Sequence, residues 1–201
     1  MRIINDVLIE VFLMAGRNFF VPKRHHWISL AAIFSMPLMA ASPEFTSEPW
    51  SDPAPQARTA LKLETAMMKG HNDARRAVNV APLVWNDKLA KAATLYAAQM
   101  AKTGDFEHSA DTPGVAPEGE NLWMGTRNAF AYGNMIGAWV DERTDYVNGT
   151  GDFEATGHYT QVIWRGTTEM GCAVSQDPNY EYLVCRYFPA GNIEDTDPLD
   201  G

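Results

Sequence analysis

Cysteine is scarce. Cys172 and Cys185 are the only two among 201 residues, too few for a disulfide-built scaffold and for a cysteine-only zinc site. The fold does not depend on such staples, because a chain of this length buries a core of its own. The 46% hydrophobic and 20% charged content is that of an ordinary globular protein. Basic charge is also short, with 16 Lys and Arg against 25 Asp and Glu, net −9. Leaving out residues 1–41, 12 basic and 23 acidic residues remain, net −11. That balance argues against a nucleic-acid binder working through a basic patch, and against electrostatic docking on anionic membranes. There is no internal repeat. The His-Glu-x-x-His motif of metalloproteases is missing.

What is present begins with an address. Lys23-Arg-His-His26 precedes a 14-residue apolar stretch, Trp27–Ala40, that ends in the small residues Ala40, Ala41 and Ser42. A basic flank, a short apolar run and small residues form the pattern of a secretory signal peptide. The run falls short of the ~20 residues a membrane helix needs, and Pro37 interrupts it; a signal anchor or a buried helix is the other reading. Residues 1–41 are therefore expected to be a signal region, with Met14 as an alternative start, because Asp6 and Glu10 do not suit a leader. Residues 42–56 hold four prolines and read as an extended linker. Residues 57–193 form one expected domain, and 194–201 an acidic tail expected to fray.

Within the domain, Leu63, Met67, His71, Ala74 and Val78 recur at helical spacing over about 58–78. Asn86 is a candidate N-cap for a second helix, 87–102, which Gly104 stops. Residues 103–127 are expected to be mostly loop. A third helix is expected over 129–146. The runs 160–165, 170–175 and 180–188 read as strands. Helices first and strands last favour an α+β or layered αβα domain over a parallel βαβ fold.

Three histidines follow the leader: His71 on the first helix, His108 after the second, and His158 opening Gly-His-Tyr-Thr. The last two are placed in loops at element boundaries, where functional side chains often sit. Glu120 and Glu142 are the acidic candidates. Spacing alone leaves two readings open, satisfied polar groups with surface charges, or a site.

Four motifs narrow this. Gly157-His-Tyr-Thr-Gln-Val-Ile-Trp-Arg-Gly-Thr167 and Tyr182-Leu-Val-Cys-Arg-Tyr-Phe-Pro-Ala-Gly-Asn-Ile193 resemble the two signatures of the CAP superfamily. That superfamily unites cysteine-rich secretory proteins, antigen 5 and pathogenesis-related class-one proteins. His71-Asn-Asp-Ala-Arg75 and Gly119-Glu-Asn-Leu122 resemble two further motifs, and all four stand in the family's order. The resemblance implies a three-layer αβα sandwich with a central twisted antiparallel sheet. It also implies a cleft tetrad, carried over to His108, Glu120, Glu142 and His158. His108 and His158 are then the implied ligands of a divalent metal such as zinc, with Glu120 and Glu142 in support. Neutral imidazole suits Zn²⁺, and a carboxylate behind it fixes the tautomer. Two such ligands make an open, weak site, so no obligatory cofactor is expected.

His71, Asn72 and Arg75 read as a polar network bracing the core, which has to be fully hydrogen-bonded to be tolerated. Trp139 and Trp164 read as core, Asn121 as a bond to loop backbone, and Tyr159 and Gln161 as core or cleft-lining. Ser109 lacks the Gly-x-Ser-x-Gly context of a hydrolase nucleophile. The family pairs two cysteines that match Cys172 and Cys185, which implies a disulfide; two free buried thiols are the alternative. The lack of further cysteines suits a bacterial or otherwise minimal member, with no cysteine-rich C-terminal module.

The resulting expectation is a secreted, monomeric binding module for a lipid, sterol or cell-wall ligand, periplasmic in a Gram-negative host. No nucleic-acid partner is expected, and no membrane span after signal removal. Apolar residues over 122–136 are candidates for a groove or for core. The alternative is a secreted peptidase-like hydrolase using the same His/Glu cleft. Asn148-Gly-Thr150 is a glycosylation sequon.

Overall fold

The computed structural model describes residues 58–110, 113–146 and 153–200. The expected leader, the linker and the Asn148 sequon lie outside the described residues. Helix α1, Ala60–Ala77, starts where the Thr59 side chain accepts from Lys62 N. It buries Leu63, Met67, His71 and Ala74, one face at three- and four-residue spacing. Helix α2, Asp87–Thr103, is capped by Asn86, whose side chain accepts from Lys88 N and Leu89 N. It ends at Gly104, whose left-handed φ of 79° lets its N–H bond Met100 O. Helix α3 is Tyr132–Asp141, continued by a 3₁₀ turn Glu142–Thr144; helix α4 is Phe153–Ile163.

Four strands, β1 Val84–Trp85, β2 Gly119–Thr126, β3 Glu169–Gln176 and β4 Tyr180–Phe188, form one sheet in the order β1-β3-β4-β2. β2, β4 and β3 run antiparallel as expected. The two-residue β1 pairs parallel to β3, so the sheet is mixed rather than purely antiparallel.

Strand alternation divides the core in two. Trp123, Leu183, Cys185 and Tyr187 pack with residues of α1, α3 and α4, while Leu122, Val184, Tyr182 and Ala173 pack with Ala93, Ala97 and Met100 of α2. The result is the αβα sandwich. Gly171 permits the close seat of α2 on β3: a Cβ there would stand 2.2 Å from Ala90 N and 2.6 Å from Asn86 O, both backbone atoms. Cys172 and Cys185 are direct partners across β3 and β4, and they form a disulfide.

Three expectations are corrected. The run 160–165 is not a strand: it is the end of α4 and the turn after it. From Thr156 to Trp164 every residue is buried, so this helix shows no amphipathic period, and its β-branched residues mimic a strand. Residues 119–126, expected as loop, are β2, whose mixed burial and two glycines hide the period. The acidic tail is docked rather than frayed. Arg165 N donates to Pro198 O at 2.8 Å, the Arg165 side chain bonds Leu199 O, and Leu199 packs on the core.

Among the described residues no helix is long and apolar enough to cross a membrane. The apolar run 122–136 is mostly core: Leu122, Trp123, Met135 and Ile136 are buried, and Met124, Phe130 and Tyr132 pack against them in part.

Candidate functional site

The first motif is structural. His71 is fully buried. Its Nδ1 lies 2.8 Å from Met67 O, and its Nε2 lies 2.8 Å from Tyr187 Oη. A carbonyl only accepts, so Nδ1 carries the proton and Nε2 accepts from the tyrosine hydroxyl. The ring is neutral: burial, with Arg75 nearby, lowers its pKa to about 4 against the help of the Met67 carbonyl. Burial likewise pushes the Tyr187 phenol well above its ordinary value.

Arg75 lies one turn on and points into the C-terminus of α4. Its guanidinium donates to Ala81 O, Val162 O, Trp164 O and Thr167 O. Four carbonyl acceptors satisfy a buried cation, and three of them belong to the end of α4 and its turn. Burial is the main cause lowering the Arg75 pKa to about 10. Asn72 completes the brace through both Leu83 N and Leu83 O.

The expected tetrad assembles as two pairs of the same design. His108 sits in the segment after α2, and its Nδ1 is 2.8 Å from Glu120 Oε1, which also accepts from Ser109 N at 2.9 Å. His158 lies within α4 rather than in a loop. Its Nδ1 is 2.5 Å from Glu142 Oε1, while Glu142 Oε2 accepts from Tyr159 N at 2.9 Å. In each pair one carboxylate holds the imidazole and the backbone N–H of the next residue. Each ring is thereby fixed in orientation. An ionised carboxylate only accepts, so Nδ1 donates, and in the neutral ring the Nε2 lone pair is left over. Neither Nε2 has a hydrogen bond among the described residues.

The two pairs meet neighbouring residues of β2. Glu120 grips His108, and Asn121, on the opposite face of the strand, donates to His158 O at 3.1 Å. Asn121 thus bonds helix backbone, not loop. Gly119 makes the approach of α4 possible: a Cβ there would stand 2.1 Å from Gln161 Oε1. Gln161 is fully buried and spans Thr167 Oγ1 and Gly191 N, a structural role. Trp139 stacks on His158 with ring planes 12° apart and donates to Leu122 O.

Electrostatics distinguish the pairs. Glu120 Oε2 lies 2.9 Å from Arg186 Nη2, a contact of charge without hydrogen-bond alignment. Burial disfavours the Glu120 anion, but His108, Arg186 and Ser109 N–H outweigh it and hold the carboxyl below its ordinary range. Sequence reasoning missed Arg186. Its signal was the motif Cys185-Arg-Tyr187, used only for the cysteine; the register places Arg186 opposite Glu120.

The donor set offers a metal at most two imidazole nitrogens. Both Glu142 oxygens are engaged, and Glu120 lies between His108 and Arg186, so both carboxylates act as orienters. The available ligands are the two Nε2 atoms. Among the described residues no three His, Cys, Asp or Glu side chains converge as a metal-holding group.

The model of the cysteine-rich secretory protein family, CAP, matches residues 68–187. The pathogenesis-related protein PR-1 of Medicago truncatula is 41% identical over 126 residues, covering 60% of this chain and 70% of that protein. The pathogenesis-related protein PRMS of Zea mays is 39% identical over 133 residues, 63% and 77% of the two chains. Among solved structures, NaASP2 with Zn²⁺ is similar with a TM-score of 0.59 and 25% identity, over 68% of this chain and 84% of that one.

Proposed function

This chain belongs to the CAP family, and from that premise we propose that it is an exported binding module whose two His–Glu pairs can hold a divalent metal weakly. The observation that carries the proposal is the shared design of the pairs. Each Nδ1 is committed to a carboxylate, and each Nε2 is left as a lone pair. His108 and His158 are the ligands; Glu120 and Glu142 orient them. Zinc held this way would supply a Lewis acid with open positions for solvent or a ligand oxygen. Support comes from the similar NaASP2 chain, which was crystallised with Zn²⁺.

The organic ligand we propose is a lipid, sterol or cell-wall component, a reading that rests on family membership. Export rests on the leader-like residues 23–42 and on kinship with cysteine-rich secretory proteins. A peptidase-like reading of the same cleft has less behind it. Among the described residues no hydroxyl hydrogen-bonds His108 or His158, so no hydroxyl nucleophile is paired with a base there, and that reading would rest on a water activated by the same groups. The test is a metal- and ligand-binding screen with His108→Ala and His158→Ala as controls. Zinc binding lost in both variants supports the reading, and zinc binding kept in both removes it.

A further inference from the structure

A cavity of about 380 Å³ lies between α2 and residues 109–110 and 115–118, on the sheet face opposite α1, α3 and α4. Its apolar wall includes Ala92, Leu95, Val115 and Pro117, and its polar end holds Glu118 and Arg186. The volume is in the range of small-ligand sites. Leu95 and Val115 are exposed, 67% and 62%, and mark an open apolar mouth.

Arg186 sets the chemistry. Its side chain is only 13% exposed, yet its donors are poorly used. The guanidinium lies over the Tyr96 ring, 5.4 Å from the centroid, and meets Glu120 at 2.9 Å and Glu118 at 3.7 Å. None of these contacts is an aligned hydrogen bond, and Nε is buried without a partner among the described residues. A largely buried guanidinium with five donors and no aligned acceptor calls for one.

Charge narrows the occupant. Glu118 and Arg186 balance each other at the cavity wall, so an anion would lie against the carboxylate. A cation would lie against the guanidinium. The fitting group is neutral, with an acceptor for Arg186 and a donor for the Glu118 carboxylate. A secondary amide supplies both, and a small acyl methyl suits the alanine, valine and proline wall. We propose that this cavity binds a small uncharged ligand through a secondary amide, with its carbonyl on Arg186 and its N–H on Glu118. This site uses neither proposed metal ligand, His108 or His158, although its Arg186 also contacts Glu120.

Saturation-transfer NMR on the full chain tests it. Two probes share the amide, the trimer of N-acetylglucosamine and N-acetyl-alanine methylamide; the glucose trimer lacks it. Saturation should reach the acetyl methyl of at least one amide probe and spare the glucose trimer, and the probe that responds names the source. Arg186→Met should weaken that binding at least tenfold. Ala92→Met, which fills the cavity from the surface of α2, should do the same and keeps the test valid if Arg186→Met fails to fold. Three results each overturn the proposal: no transfer to either amide probe, equal transfer to the glucose trimer, or undiminished binding in Ala92→Met.

Discussion

Asn121 donates to the backbone carbonyl of His158 at 3.1 Å, and so ties the strand that carries Glu120 to the helix that carries His158. Asn121 is 1% exposed and lies beside Tyr187, whose hydroxyl donates to His71. A buried polar chain therefore runs from α1 through the sheet to α4. Asn121→Leu should destabilise the protein by about 1–3 kcal/mol, the cost of leaving buried partners unsatisfied. It should also weaken zinc binding with both imidazoles still present. Urea denaturation and titration calorimetry on the same variant check the two halves.

Arg75 holds the other end of α4. Arg75→Met removes four carbonyl contacts at once, three of them at the end of that helix. The expected loss is at least about 3 kcal/mol, since each orphaned buried acceptor costs on the order of 1 kcal/mol or more. Amide exchange in α4 should accelerate more than in α2, because α2 has its own caps and lies across the sheet. Equal acceleration in the two helices would separate Arg75 from the positioning of His158.

His71 gives a pH dependence of defined sign. Its folded pKa is about 4 against 6.5 when unperturbed. Between those values the unfolded chain binds a proton that the folded chain refuses. Stability should therefore rise with pH from 4 to 6.5 and be lost on acidification through that window. The shift corresponds to about 3 kcal/mol. His71→Gln should remove this share of the slope. Denaturation midpoints of both proteins at pH 4.5 and 7 measure it; equal pH dependence in the two would refute the assignment.

The cross-strand disulfide should be complete in the exported protein. Thiol labelling under denaturing, non-reducing conditions should find no free cysteine. Reduction should cost roughly 3 kcal/mol, the chain-entropy value for a short loop. Two labelled thiols in the native product would contradict it.

How much of this was legible depends on the kind of signal. The caps of α2 were readable because Asn86 and Gly104 act locally, through a side-chain oxygen and a left-handed backbone. β4 was readable as a bounded apolar run. α4 was not, because burial on all sides erases the period that marks a helix, and β2 was hidden by Asn121 in its buried face. The site residues came from motif resemblance, not periodicity. His108, Glu120, Glu142 and His158 are far apart in the chain, and only the fold shows which carboxylate holds which ring. Arg186 was invisible as a site residue, because its partnership with Glu120 follows from strand register alone.

Zinc titration calorimetry on the wild-type protein and four single variants tests the central claim most directly. The account predicts weak binding in the wild type, none in His108→Ala or His158→Ala, and roughly 10- to 100-fold weaker binding in Glu120→Gln and Glu142→Gln, since orienting groups act at that scale. Wild-type affinity retained in both histidine variants would contradict it and place the metal away from the two pairs.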